Sequence, residues 1–173
     1  MEQVDQNTKM SIPLESFLVS EFRAYQTLLK LTKQERMALV KADILTLAGI
    51  VEQKDSLMDE IHRLEKGRSQ VVREWAERTG FTSSSPTIQD LVHYMPQPTA
   101  QRLERIRSGI LSISVELRDM TRGNQALAVS ALERLDHMRT LILSFDQPTD
   151  HYVSSGKKKD QATTASWKLE ERV

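Results

Sequence analysis

Residues 102–145, RLERIRSGILSISVELRDMTRGNQALAVSALERLDHMRTLILSF, decide the fold. Their apolar residues are Leu103, Ile106, Ile110, Ile113, Leu117, Met120, Leu127, Ala131, Leu135, Met138, Ile142 and Phe145. Steps of three and four bring such side chains round to one face of an α-helix. One place in the series is polar, Asn124, between Met120 and Leu127. An asparagine in an apolar seam sets register or partner choice at a cost in stability. A hydrogen bond to a neighbouring helix accounts for it equally well.

Working outward, the same spacing recurs at Leu47, Ile50, Lys54, Leu57, Ile61, Leu64, Arg68, Val71 and Trp75, flanked by Ile44, Val51, Met58 and Val72. Lys54 and Arg68 are expected to lay their stems along this seam with the charged ends in water. A third series runs through Leu14, Leu18, Phe22, Tyr25, Leu29, Thr32, Arg36 and Leu39, widened by Phe17 and Leu28 as in a bundle helix. Ser11 with Pro13 suits a helix start, Asp43 an N-cap and Gly80 a C-terminal cap. Gly49, Gly67, Gly109 and Gly123 fall inside the predicted helices and mark either close helix approach or local softness.

Between the second and third long segments, Thr82-Ser83-Ser84-Ser85-Pro86 has loop chemistry, and Thr87-Ile88-Gln89-Asp90 has the form of a capping box. A short helix over about 87–94, closed by Pro96 and Pro98, follows from it. Residues 1–11 lack periodicity and read as disordered, 12–146 as the helical domain, and 147–173 as a flexible tail. The predicted fold class is all-α: an elongated antiparallel three-helix bundle of coiled-coil type, with a short extra helix and a disordered C-terminal tail.

Composition removes several classes of function. Lys and Arg number 24 and Asp and Glu 24, so no net charge favours nucleic acid. The absence of cysteine removes disulfides, thiolate catalysis and cysteine zinc sites. No apolar run approaches the ~20 residues that span a bilayer, and the polar N-terminus has no secretory core, so a cytosolic protein without membrane insertion is expected. Asp59-x-x-His62 and Glu133-x-x-x-His137 lie mainly off the seams and miss the spacing of a carboxylate–histidine metal site. No phosphate loop or catalytic grouping is present, so no cofactor, metal site or enzymatic activity is expected. Met37, Met58, Met120 and Met138 suit the core better than an adaptable surface, and Lys157-Lys158-Lys159 suits a solvated tail.

A further set of residues resembles the FlgN family of flagellar type III export chaperones. It comprises Glu35-x-x-Ala38-Leu39-x-x-x-Asp43, then Leu47, Lys54, Leu57, Ile61, Leu64-Glu65 and Arg68, then Asn124-x-x-Leu127, Leu132 and a closing Tyr152-x-x-x-Gly156. The resemblance implies a cytoplasmic chaperone, monomeric or a small homo-oligomer when free. It would bind the amphipathic C-terminal helices of the hook–filament junction proteins FlgK and FlgL and deliver them to the export gate protein FlhA. Carried over by position, the client-binding candidates are Asn124, Leu127, Ala131, Leu132, Leu135, Met138, Ile142 and Phe145, and Tyr152 is the candidate for gate docking. The family's usual Tyr-Asp is here Tyr152-Val153, and the tail past Gly156 is longer than the pattern requires. The competing readings are a structural or signalling coiled coil that self-associates through the same stripe, and a chaperone for a different flagellar client.

Overall fold

A computed structural model describes residues 2–145 apart from Ser84, with side chains from Ser11 onward. Four helices follow one another: α1 (Glu2–Lys41), α2 (Ile44–Thr79), α3 (Ile88–Val92) and α4 (Gln97–Phe145). No described residue lies in a strand, and the fold class is all-α as the periodicity predicts. Compact packing separates Met1–Glu133 from Arg134–Val173, the described part of the second unit being the end of α4.

The turn between α1 and α2 is built locally. Ala42 takes a left-handed conformation with φ 53°, Asp43 N–H donates to the Ala38 carbonyl at 3.0 Å, and Ala42 N–H donates to Leu39 at 3.2 Å. This is a Schellman-type ending, which usually carries glycine at the left-handed place. Asp43 then caps α2, accepting from Thr46 N–H at 3.0 Å and from the Thr46 hydroxyl at 2.7 Å. Those two bonds, the hydroxyl's first, lower the Asp43 carboxyl below its ordinary value. Because an L side chain is strained at positive φ, Ala42→Gly is expected to stabilise the protein by about 0.5–1 kcal/mol. Urea unfolding of the two proteins checks this, and a loss of stability would contradict the strain argument.

At the far end of α2, Gly80 sits at φ 67° and its N–H donates to Ala76, as the sequence predicts for a C-cap. The capping box at Thr87 is formed from both sides: Thr87 N–H donates to Asp90 at 2.8 Å, and Asp90 N–H to the Thr87 hydroxyl at 3.3 Å. One boundary differs from expectation. The first residues are helical from Glu2 rather than disordered. Pro13 lies inside α1 and its missing N–H costs the helix one hydrogen bond, while Glu, Gln, Lys and Met in the turns before it are good helix formers. α4 begins at Gln97, close to Thr99, near which the sequence after Pro96 places the third long helix.

Directions follow from the side-chain pairs. Glu21 meets Arg68, Tyr25 meets Glu65 and Glu35 meets Lys54, so α1 and α2 are antiparallel. Glu15 meets Arg102 and Lys33 meets Glu116, so α4 runs parallel to α1. The bundle is therefore up, down, up, with α3 and its loops carrying the chain back.

Three apolar clusters line the bundle. The largest joins Leu14 and Leu18 of α1, Val72, Trp75 and Ala76 of α2, Leu91 of α3, Met95 of the turn after it and Leu103 of α4. Trp75 also packs at a tilt against Phe81 and Tyr94, with ring centroids 5.2 and 5.4 Å away. The second cluster holds Ala24, Leu28, Ile61 and Leu117, the third Leu31, Ala38 and Ile50. Truncating a side chain as enclosed as Leu14 or Leu103 costs ~2–5 kcal/mol. Gly67 and Gly109 mark close approach. A Cβ on Gly67 would lie 2.5 Å from the Phe17 ring, and one on Gly109 2.8 Å from the Phe22 ring. Gly49, by contrast, faces open space.

Candidate partner-binding face

The α4 stripe changes character along its length. Upstream it is spent inside the bundle, where Leu103 and Leu117 are buried and Ile106, Ile110 and Ile113 pack against the clusters. Asn124 ends this part. It is 2% exposed, and its side-chain amide donates to the Thr32 carbonyl at 2.9 Å and to Glu35 Oε2 at 2.8 Å. Both partners are acceptors, which fixes the amide orientation and leaves Oδ1 buried without a hydrogen-bond partner. The same Glu35 oxygen accepts from Lys54 Nζ at 2.9 Å, so one residue from each long helix meets at this point.

Beyond Asn124 the stripe is uncovered. Leu127 and Ala131 are half-buried. Leu132, Leu135, Met138, Ile142 and Phe145 are exposed, from 58% for Leu135 and Met138 to 79% for Phe145. Leu141 and Leu143, which sequence spacing did not single out, are exposed beside them. Consecutive large apolar residues there widen the surface past the stripe itself. An uncovered apolar helix face of this kind marks a protein–protein contact.

Against the client-binding expectation, Asn124 lies inside the bundle and is spent on the α1 and α2 contacts. The methionine expectation also needs correction: Met37, Met58 and Met138 are exposed and only Met120 is half-buried. Helical spacing alone does not say which face of a two-sided helix meets its neighbour. Tyr152, Lys157, Lys158, Lys159, Trp167 and the expected flexible tail lie outside the described residues.

A second polar joint sits deeper and was missed. Arg68 Nε donates to Glu21 Oε1 at 2.7 Å, with the Glu21 side chain 3% exposed. Tyr25 Oη donates to Glu65 at 3.0 Å on the same side. The charged ends of Arg68 and Lys54 thus meet carboxylates of α1 rather than open water. The signal was present as Glu21 and Glu35 inside the α1 series, at places near a seam that reads as apolar. Burial pushes the Glu21 carboxyl up, against the lowering pull of Arg68. Burial, and then the Glu65 carboxylate, push the Tyr25 phenol up to about 12.

The tyrosine shift has a defined sign. Below the ordinary value of 10.0 the phenol is neutral in both states. Between 10.0 and about 12 the unfolded chain ionises Tyr25 while the folded bundle holds it neutral, so stability falls as pH rises through that window. Tyr25→Phe is expected to flatten this alkaline loss, as read by urea unfolding along a pH series. An unchanged slope would mean Tyr25 is not the responsible group.

Among the described residues no group of three or more His, Asp or Glu side chains is placed to hold a metal ion, and no helix is long and apolar enough to cross a membrane. What remains is a helical bundle that offers a long amphipathic helix with an uncovered apolar face. Exposed apolar surface of this extent is the kind on which proteins bind one another. The family model described as FlgN protein matches residues 10–160 of the 173, and the chain belongs to the FlgN family. With that membership comes the general role of a flagellar export chaperone. No curated protein and no solved structure matches the chain.

Proposed function

We propose that this protein is a non-enzymatic cytoplasmic chaperone for the hook–filament junction proteins FlgK and FlgL. It holds their C-terminal amphipathic helices on the free face of α4 and passes them to the export gate protein FlhA. The observation that carries the reading is the exposure of Leu132, Leu135, Met138, Ile142 and Phe145 on one continuous helix. A client helix with apolar anchors at similar spacing fits such a face, a helix-in-groove mode of recognition. Covering about 600 Å² of apolar surface supplies a gross ~15 kcal/mol at ~25 cal/mol per Å². Ordering the client segment offsets much of that gain, so the binding is reversible without ATP. Tyr152, by its match to the family tyrosine, serves gate docking rather than client binding.

Isothermal titration against the C-terminal helical segments of FlgK and FlgL tests the reading. Saturable one-to-one binding at micromolar affinity or tighter is expected. No binding to either, with the bundle folded by circular dichroism, would overturn the client assignment. The self-associating coiled coil would then be tested by the concentration dependence of thermal stability. Tyr152→Ala is expected to leave client affinity intact and lower export of the client. If it abolished client binding, the division of labour between α4 and the segment after it would be wrong.

A further inference from the structure

A cavity of about 530 Å³ opens between α2, the segment leading into α3, and α4. Arg68 and Arg73 of α2 and Arg107 of α4 line it, with Val72 and Ile88 as apolar wall and Gln89 beside them, and no carboxylate is among the described residues of the lining. Arginine supplies all the charge of the lining itself, although Glu21 and Glu104 pair with Arg68 and Arg107. A groove elsewhere on α1 and α2 is lined by Glu52 and Glu60, and another mixes Lys41 with Asp43.

Each guanidinium is anchored by one bond. Arg68 Nε holds Glu21 at 2.7 Å, Arg107 holds Glu104 at 2.9 Å, and Arg73 holds the Gln70 side-chain oxygen at 3.0 Å. A guanidinium carries five N–H donors in a rigid fork, so each retains donors beyond its anchor. Anchoring lowers the entropy lost when an anion binds. A single carboxylate is saturated by one bidentate arginine, whereas the oxygens of a phosphate point in several directions and suit arginines arriving from two helices. A bare phosphate fills only a small part of the cavity, which lies in the size range of small-molecule sites. The rest, against Val72 and Ile88, suits an organic body.

We propose that this cavity binds a phosphate-bearing organic anion of mononucleotide size, bridging α2 and α4. The site is separate from the free face of α4 and does not rest on the identity of the client. Isothermal titration of the full chain at constant ionic strength tests it, with adenosine 5′-monophosphate, inorganic phosphate and adenosine as probes. The nucleotide is expected to bind saturably, at least ~10-fold more tightly than either fragment, since only it offers both charge and apolar body. Arg73→Gln with Arg107→Gln is expected to weaken it by at least ~10-fold, with helicity retained by circular dichroism. Absence of saturable binding, or an affinity unchanged in the double variant, would overturn the site. Phosphate binding as tightly as the nucleotide would overturn the role of the apolar wall. Adenosine binding as tightly would overturn the role of the arginines.

Discussion

Leu135→Asp combined with Phe145→Asp is expected to weaken binding of a FlgK or FlgL C-terminal helix by at least ~100-fold while the bundle stays folded. Both side chains are exposed, so neither substitution opens a cavity in the core. Truncating an anchor at the centre of an interface costs ~2 kcal/mol or more, and a desolvated aspartate adds to that. The cost to the free protein is small by comparison. Aspartate is a poorer helix former than leucine by a few tenths of a kcal/mol, and at Phe145 it also opposes the C-terminal dipole by ~0.3–1 kcal/mol. Fraying of the last turn is therefore expected, with unfolding of the remainder unchanged. Thr140→Asp is the matched control. Thr140 is exposed on the same helix but turned away from the stripe, and its variant should bind like the parent. Titration of the three proteins against one client peptide decides the matter. An affinity for the double variant within a few-fold of the parent would remove the α4 face from the proposal.

The largest expected effect on stability comes from Arg68→Met. This substitution keeps most of the packing volume but leaves the Glu21 carboxylate, 3% exposed, without its partner. Removing one member of a buried pair costs ~3–5 kcal/mol, most of it the penalty of an uncompensated buried charge. That loss should ease with acidification. Glu21 already holds its proton above the ordinary 4.5 because of burial. As pH falls through the folded value, the folded state takes the proton first and the penalty is relieved, so the gap between variant and parent narrows. Adding Glu21→Leu should recover most of the lost stability, since an apolar pair of similar volume often replaces a buried ion pair without loss. Urea unfolding of the parent, the single and the double variant measures all three. A single variant within ~1 kcal/mol of the parent would mean that water reaches Glu21 in the bundle.

Much of this architecture was legible as pattern. Asp43, Gly80 and the Thr87–Asp90 box announce helix ends because caps satisfy backbone groups within a few residues of themselves. The three long series announce helices because spacing of three and four is a local property. Less legible was what each stripe faces. Leu103 and Leu135 stand in the same periodic series, yet one is fully buried and the other is not. The four methionines misled for the same reason: a methionine at helical spacing is compatible with core or with surface. Arg68 and Lys54 read as stems reaching water because their partners, Glu21 and Glu35, are 47 and 19 residues away in sequence.

The sequence by itself determined an all-α chain, the caps at Asp43, Gly80 and Thr87 and, through its family motifs, its membership of the FlgN family. Those features depend on hydrogen bonds and periodicities that close over a few residues. Only the tertiary structure decided that Asn124 is a joint among three helices, that Arg68 neutralises a buried carboxylate, and that the α4 stripe is free beyond Ala131. Each of those depends on which residues from distant segments share the same few ångströms, and therefore on which polar groups lose water and which apolar groups keep it.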